Sequence, residues 1–122
     1  MPDNPERTAK ELVERLRGAD DLVRLHAAIT VGSLGEGARP AVPVLIDLLR
    51  SDKVLDRRAA AWGLRDLGEV AEEAVPALLE ALEDDDDQVE DLAAQALEAI
   101  QGMEDDLDED DEDRPGLQRR TA

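Results

Sequence analysis

The sequence predicts an all-α protein assembled from a repeated helical hairpin. Three observations predict this class: an internal period of 33 residues, apolar residues at helical spacing, and a composition rich in strong helix formers. Ala, Leu and Val supply most of the apolar residues, and Trp62 is the only aromatic residue in the 122-residue chain. A chain of this length has room for one domain.

The 33-residue period is seen when residues 24–36 are aligned with residues 57–69. The offset superposes Ala27 and Ala60, Ala28 and Ala61, Val31 and Leu64, Leu34 and Leu67, and Gly35 and Gly68. It also superposes residues 42–49 on residues 75–82. Moving by the same offset in either direction extends the period over residues 7–102. One structural unit therefore repeats along most of the chain.

Each unit is predicted to contain two helices, A and B. The apolar residues at 27, 28, 31 and 34 form one face of helix A, and Gly35 or Gly68 ends that helix as its C-cap. Helix B carries Pro43 or Pro76 in its first turn, where a missing N–H costs nothing. In the order B-A-B-A-B-A, the predicted helices cover about residues 5–17, 20–34, 40–51, 54–67, 74–83 and 87–101.

The strings Ala-Ala-x-x-Val/Leu-x-x-Leu-Gly and Ala-Val-Pro-x-Leu-x-x-x-Leu resemble HEAT-like repeats, the short helical repeat type also found in phycobilin lyases. The resemblance implies a short right-handed α-solenoid of about three repeats, with residues 5–102 as the repeat domain. The ankyrin string Thr-Pro-Leu-His is absent, and Leu67-Gly68 comes too late after Trp62 for a tetratricopeptide repeat. Glu90 and Gln101 replace the Arg and Gly of earlier units, as expected of a terminal capping unit.

The net charge of −18 is distributed unevenly. Residues 1–68 hold 11 acidic and 11 basic side chains, whereas residues 69–113 hold 21 acidic side chains and no basic one. A negative field of this kind repels nucleic acids and anionic lipids and attracts cationic partners. The alternative explanation is an adaptation to salt or to the need for solubility, which would spread the acidity evenly.

Residues 103–122 are predicted to form a disordered acidic tail, because nine of the ten residues 104–113 are acidic and no apolar period continues there. Asp106, Asp108 and Asp110 alternate as in an EF-hand loop. However, Asp111 stands where that loop requires Gly, and Leu117 where it requires Glu. We therefore expect no defined metal site.

The chain offers few residues for catalysis: it has one His, no Cys and no Tyr. His26 lies beside the apolar face of its helix, without an acid or base partner that spacing could indicate. No catalytic or cofactor-binding residue is predicted. The lyase connection of the repeat type does not imply enzyme activity, since a bilin pocket needs a much longer solenoid.

Two rows of outward-facing positions are the candidate partner-binding residues. On the B helices these are Glu14, Asp47 and Glu80, followed one turn later by Arg17, Arg50 and Glu83; the resemblance to HEAT-like stacks implies that they line the concave face. On the A helices the row contains Ile29 and Trp62, flanked by Leu25 and Arg58. Outward positions are often charged without any role, and a neighbouring loop or tail could cover the apolar pair.

These observations predict a non-enzymatic interaction module, a scaffold or adaptor that binds a basic protein partner through its acidic C-terminal half. A structural subunit or cap of a larger assembly, held through the side that carries Ile29 and Trp62, is an alternative. An accessory protein of bilin attachment is a more distant one. The chain start lacks the pattern of a signal peptide, and no apolar run approaches the ~18 residues of a membrane span. We therefore expect a cytoplasmic protein without nucleic-acid or membrane partners.

Overall fold

The computed structural model describes the backbone of residues 5–108 and the side chains of residues 8–101. Within this range the chain forms six α-helices: α1 (Pro5–Leu16), α2 (Asp21–Val31), α3 (Val42–Leu49), α4 (Val54–Leu67), α5 (Val75–Ala81) and α6 (Asp87–Asp108). Two 3₁₀ segments, Gly35–Ala41 and Gly68–Ala74, lie between α2 and α3 and between α4 and α5. The predicted all-α class and the order of six helices are confirmed.

The helices are arranged in two layers. Helices α2, α4 and α6 form one layer, in which α4 packs against both of its neighbours. Helices α1, α3 and α5 form the other layer, and each packs against the next helix in the chain as one hairpin. Successive hairpins stacked side by side in this way form an α-solenoid.

Local sequence signals define most helix ends. Asp20 is the N-cap of α2, and its carboxylate accepts hydrogen bonds from the backbone N–H groups of Leu22 and Val23, at 2.9 and 3.1 Å. Pro43 and Pro76 lie in the first turns of α3 and α5, as predicted. Gly68 ends α4 with a φ of 58°, a conformation that favours glycine. The predicted role of Gly68 is therefore confirmed.

The corresponding prediction for Gly35 needs correction, because α2 ends three residues earlier than predicted, at Val31. Residues 32–34 follow it with hydrogen bonds to the third preceding carbonyl, and only then does Gly35 adopt a φ of 60°. Gly32 is a much poorer helix former than the Arg65 that occupies the same place in α4. Helices α3 and α5 likewise begin later than predicted, because the 3₁₀ segments occupy the preceding residues.

The core is made mainly of Ala and Leu, with Leu45, Leu64 and Leu78 fully buried. Small residues let α2 and α4 approach closely. A Cβ atom added to Gly63 would lie 2.5 Å from the carbonyl oxygen of Ala28. Gly63 is therefore a contact residue between these two helices, which the repeat pattern does not indicate.

The last unit differs from the pattern at three places. Leu79 and Ala94 are exposed, although their equivalents Ile46 and Ala61 are half-buried and buried, because no further hairpin follows within the described residues. Helix α6 also continues past its predicted end at residue 101 to Asp108. Gln101 stands where Gly68 ends α4, and a glutamine does not favour the left-handed C-cap.

The predicted disorder of residues 103–122 needs correction at its start, because the helix does not end at Gln101 and α6 includes residues 103–108. Residues 109–122 lie outside the described residues, so a disordered acidic segment remains a prediction for them. Asn4, which directly before Pro5 is expected to be the N-cap of α1, also lies outside the described residues. No helix in residues 5–108 combines the length and the apolar character that a bilayer crossing requires. Location in the cytoplasm remains a prediction.

Candidate functional site

The predicted row on the B helices lies on the surface. All six of its members are exposed: Glu14, Arg17, Asp47, Arg50, Glu80 and Glu83. The structure brings one pair together across the stack, since the Arg50 guanidinium donates to the Glu80 carboxylate at 3.1 and 3.3 Å. The charges of Arg50 and Glu80 offset each other, so this row of positions is not uniformly negative.

A polar cleft of about 400 Å³ lies beside this pair, between the C-terminal end of α3 and α5. Its other cation, Arg57, donates to both carboxylate oxygens of Asp84, at 2.8 and 3.2 Å. The same guanidinium donates to the carbonyl oxygen of Ser51 at 2.9 Å. Arg50, Arg57, Glu80 and Asp84 are thus paired within the protein, whereas the Asp52 side chain of this cleft forms no hydrogen bond or ion pair within the described residues.

The predicted row on the A helices lies beside an apolar groove. Ile29 is 36% exposed and Trp62 is 41% exposed, in agreement with the expectation that both face outward. The groove has a volume of about 460 Å³ and is lined by residues of α2, α4 and α6. Leu25, Leu55 and Leu92 supply further apolar side chains to it.

Both arginines beside the groove have partners. Arg58 donates to both oxygens of Asp86, at 2.9 and 2.7 Å. This hydrogen bond is the main reason why the pKa of Asp86 is lowered to about 2, and the same pair raises the pKa of Arg58. Arg65 lies 5.1 Å from the centre of the Trp62 ring and donates to the side-chain oxygen of Gln95 at 2.7 Å.

Asp86 also helps to begin α6, because its carboxylate accepts the backbone N–H of Val89 at 3.0 Å. Asp84 accepts the backbone N–H of Asp86 at 2.9 Å. Acidic residues directly before a helix are typical of its N-terminus, so the run 84–87 indicates this capping role from the sequence alone. The sequence did not indicate that two of these carboxylates also bind arginines of the preceding unit.

The buried pair Arg24 and Asp56 was not identified from the sequence. The Arg24 Nε donates to Asp56 at 3.0 Å, and both side chains are about nine-tenths buried. The hydrogen bond that Arg24 donates to Asp56 is the main cause that raises the pKa of Arg24. Arg24 also donates to the Gly18 carbonyl at 2.8 Å, just as Arg57 donates to Ser51, so the contact follows the 33-residue period. In the sequence, the alignment of Arg24 with Arg57 at the 33-residue offset indicates that the two arginines occupy equivalent places, but it does not identify their carboxylate partners.

Unpaired carboxylates are concentrated on α6. Asp87, Glu90, Asp91 and Glu98 are exposed and form no ion pair within the described residues. No group of three or more His, Asp or Glu side chains in the described part of the chain is arranged to hold a metal ion. The chemistry available at the surface is therefore that of apolar contact and negative charge.

A stack of helical hairpins with an outer groove and one acidic end defines an α-solenoid repeat protein. A family model described as HEAT repeats matches residues 6–113. The chain belongs to the HEAT repeat family. No curated protein matches the sequence.

Proposed function

We propose that this protein is an adaptor or scaffold that binds a basic protein partner through its acidic C-terminal half. HEAT repeats generally mediate protein–protein interactions, and proteins of the family are typically non-enzymatic scaffolds. The proposal specifies the chemistry of the partner, and the uneven charge of the surface supports it.

The proposal rests on one observation: most carboxylates near the C-terminal end of the solenoid form no ion pair with the basic residues that the structure describes. Residues 69–101 contain twelve carboxylates and no basic residue. Three of them, Glu80, Asp84 and Asp86, bind arginines of the preceding unit. The other nine form no ion pair within residues 8–101. This end of the solenoid therefore has negative charge available for a partner.

The physical effect of this charge is orientation and faster association. Exposed charges act over about 8 Å at physiological ionic strength, so carboxylates on a fixed face guide a basic partner during its approach. The acidic residues 104–113 add negative charge at the same end of the chain. Acidity that served only solubility would not need to be confined to residues 69–113.

The experiment compares two triple variants with equal changes in charge. Glu83→Gln, Glu90→Gln and Glu98→Gln neutralise the acidic end, whereas Glu14→Gln, Asp47→Asn and Asp52→Asn neutralise exposed carboxylates of the earlier units. Proteins captured from a lysate by the parent should be enriched in basic proteins. The first triple should lose most of them and the second should retain them. Equal capture by both triples, or no enrichment in basic proteins, contradicts the proposal.

The kinetics of a captured partner provide a second measurement. Deleting residues 104–122 should slow association and flatten its dependence on salt, while dissociation stays nearly unchanged. Reversing Glu83, a carboxylate that is unpaired within the described residues, to Lys should instead speed dissociation, because this removes charge from a fixed face. Surface plasmon resonance at two salt concentrations measures both rates. If neither rate responds, the acidity serves solubility alone.

A further inference from the structure

The two sides of the solenoid differ in what they offer a partner. On the side of α3 and α5, Arg50 and Arg57 already bind Glu80 and Asp84 across the polar cleft. A partner that bound there would have to compete with these contacts or desolvate them. On the side of α2, α4 and α6, the surface is apolar and open.

Exposed large apolar residues are concentrated on this second side. Five of the six within the described residues lie on α2 or α4. Ile29, Leu55 and Trp62 line the groove, whereas Leu22 and Val23 line a separate pocket beside Arg15 of α1. The sixth, Leu79, lies on α5. Leu22, Leu25 and Ile29 are spaced by three and four residues, so they lie on one face of α2. An apolar surface that extends across two neighbouring helices is characteristic of an interaction site.

The charge at the border of this groove is negative. Its two arginines are paired, Arg58 with Asp86 and Arg65 with Asp66, and Arg65 also donates to Gln95 beside the Trp62 ring. Asp91 lines the groove from α6 and forms no hydrogen bond or ion pair through its side chain within the described residues. Asp87 and Glu98 lie four residues before and seven residues after Asp91, on the same face of α6. Apolar walls beside unpaired carboxylates complement a ligand that is both apolar and cationic.

We propose that the groove between α2, α4 and α6 is the docking site for a segment of a basic protein that carries aliphatic side chains next to Lys or Arg. The aliphatic groups contact Ile29, Trp62 and Leu92, and the cations of the segment lie against Asp91 and its neighbours on α6. This inference rests on the proposed function and locates the partner on the side of the A helices.

Trp62 gives this proposal a direct readout. It is the only tryptophan, and the chain contains no Tyr or Phe, so all of the protein's intrinsic fluorescence comes from the groove. Three synthetic peptides without aromatic residues serve as probes. The Leu/Lys peptide contains Leu and Lys in amphipathic order. The Ser/Lys peptide has Ser in place of each Leu, and the Leu/Glu peptide has Glu in place of each Lys. Only the Leu/Lys peptide should shift Trp62 emission to the blue and protect it from acrylamide.

Matched variants of the full chain test the location. Ile29→Ser should weaken binding of the Leu/Lys peptide about tenfold, as expected for an apolar contact at the centre of an interface. Leu79→Ser is the control, since Leu79 is also exposed but lies on α5, outside the groove, and its affinity should stay close to that of the parent. Asp91→Asn should weaken binding and reduce its dependence on salt.

Several results would overturn the proposal. Equal effects of Ile29→Ser and Leu79→Ser, or equal binding of the Leu/Glu peptide, would show that the groove does not select this ligand. Protection of Trp62 without peptide, growing with protein concentration alongside a dimer mass, would assign the groove to a second copy. Protection that Leu117→Ser removes would assign it to the C-terminal segment.

The proposed function and the groove can fail separately. In one outcome, basic proteins bind the parent and the Ile29→Ser variant equally well, but do not bind the triple variant at Glu83, Glu90 and Glu98. The groove proposal then fails and the proposed function stands. If no basic protein is captured but the Leu/Lys peptide binds with all the expected variant effects, the groove stands as a site of this chemistry and the proposed function fails.

Discussion

Replacing Gly63 with Ala separates two physical effects that act in opposite directions. Gly63 lies inside α4, where Ala is preferred over Gly by about 1 kcal/mol on helix propensity alone. The added Cβ, however, would lie 2.5 Å from the carbonyl oxygen of Ala28 in α2, about 0.9 Å closer than the 3.4 Å at which ordinary contacts begin. Propensity predicts a more stable protein, and packing predicts a less stable one.

We expect packing to dominate, because the opposing atom belongs to the backbone. A flexible side chain could move aside, but a helical carbonyl moves only with its helix, and α4 also packs against α6. Overpacking of a tight core costs about 1–3 kcal/mol, and a backbone clash belongs at the upper end of that range. After the gain in propensity, Gly63→Ala should lower the free energy of unfolding by about 2 kcal/mol. The melting temperature should fall by roughly 8–16 °C for a domain of this size.

Urea denaturation followed by far-ultraviolet circular dichroism measures this change. Gly18→Ala is the matched control: its new Cβ would have no neighbour closer than 3.4 Å, so its stability should stay within about 0.5 kcal/mol of the parent. Adding Ala28→Gly to Gly63→Ala should not restore stability, because the clash is with a carbonyl group. A Gly63→Ala variant as stable as the parent would refute the reasoning.

Three further predictions concern the core, a helix end and an ion pair. Leu64→Asp should unfold the stack, since it places an unpaired charge at a fully buried position; loss of the helical circular dichroism signal checks this, and a folded variant would contradict the proposed core. Gly68→Ala should destabilise the protein because Gly68 has a φ of 58°, measured by its urea midpoint; an unchanged midpoint would contradict that geometry. The pKa of Asp86 is lowered from 3.8 to about 2 by Arg58. Its ionised form therefore stabilises the folded state above about pH 4, and this stability is lost as the pH falls towards 2. Asp86→Asn should be less stable at neutral pH and lose less between pH 4 and 2 in urea titrations; parallel curves would contradict the role of the pair.

The sequence predicted the fold well because the repeat encodes the same hairpin several times. Alignment by 33 residues identified buried positions such as Ala60, Ala61 and Leu64 without reference to any distant contact. The errors occur where neighbouring units differ in chemistry. Gly32 shortens α2 relative to α4, and Gln101 allows α6 to continue. Exposure of Leu79 reflects the end of the stack, where a repeat pattern overestimates burial.

The candidate site was predictable only in part. Outward exposure of Ile29 and Trp62 follows from helical spacing, and the structure has both at the surface. The ion pairs between units could not be found in this way. Arg24 and Arg57 share the 33-residue offset, but their acceptors do not: Asp56 lies at the start of α4, whereas Asp84 lies in the loop before α6. Because the two acceptor carboxylates come from different elements, they do not recur at the 33-residue offset, and the alignment cannot identify them.

The pairs between units also determine how the stack comes apart. Arg50, Arg57 and Arg58 all bind carboxylates of the last hairpin, so detachment of α5 and α6 would separate three cations from their carboxylates at once. Arg24 and Asp56 couple the first two units in the same manner, at a buried position. In repeat proteins the coupling between neighbours decides whether end units fray independently or melt with the rest. The three hairpins should therefore unfold cooperatively, in a single transition in which no isolated unit is populated.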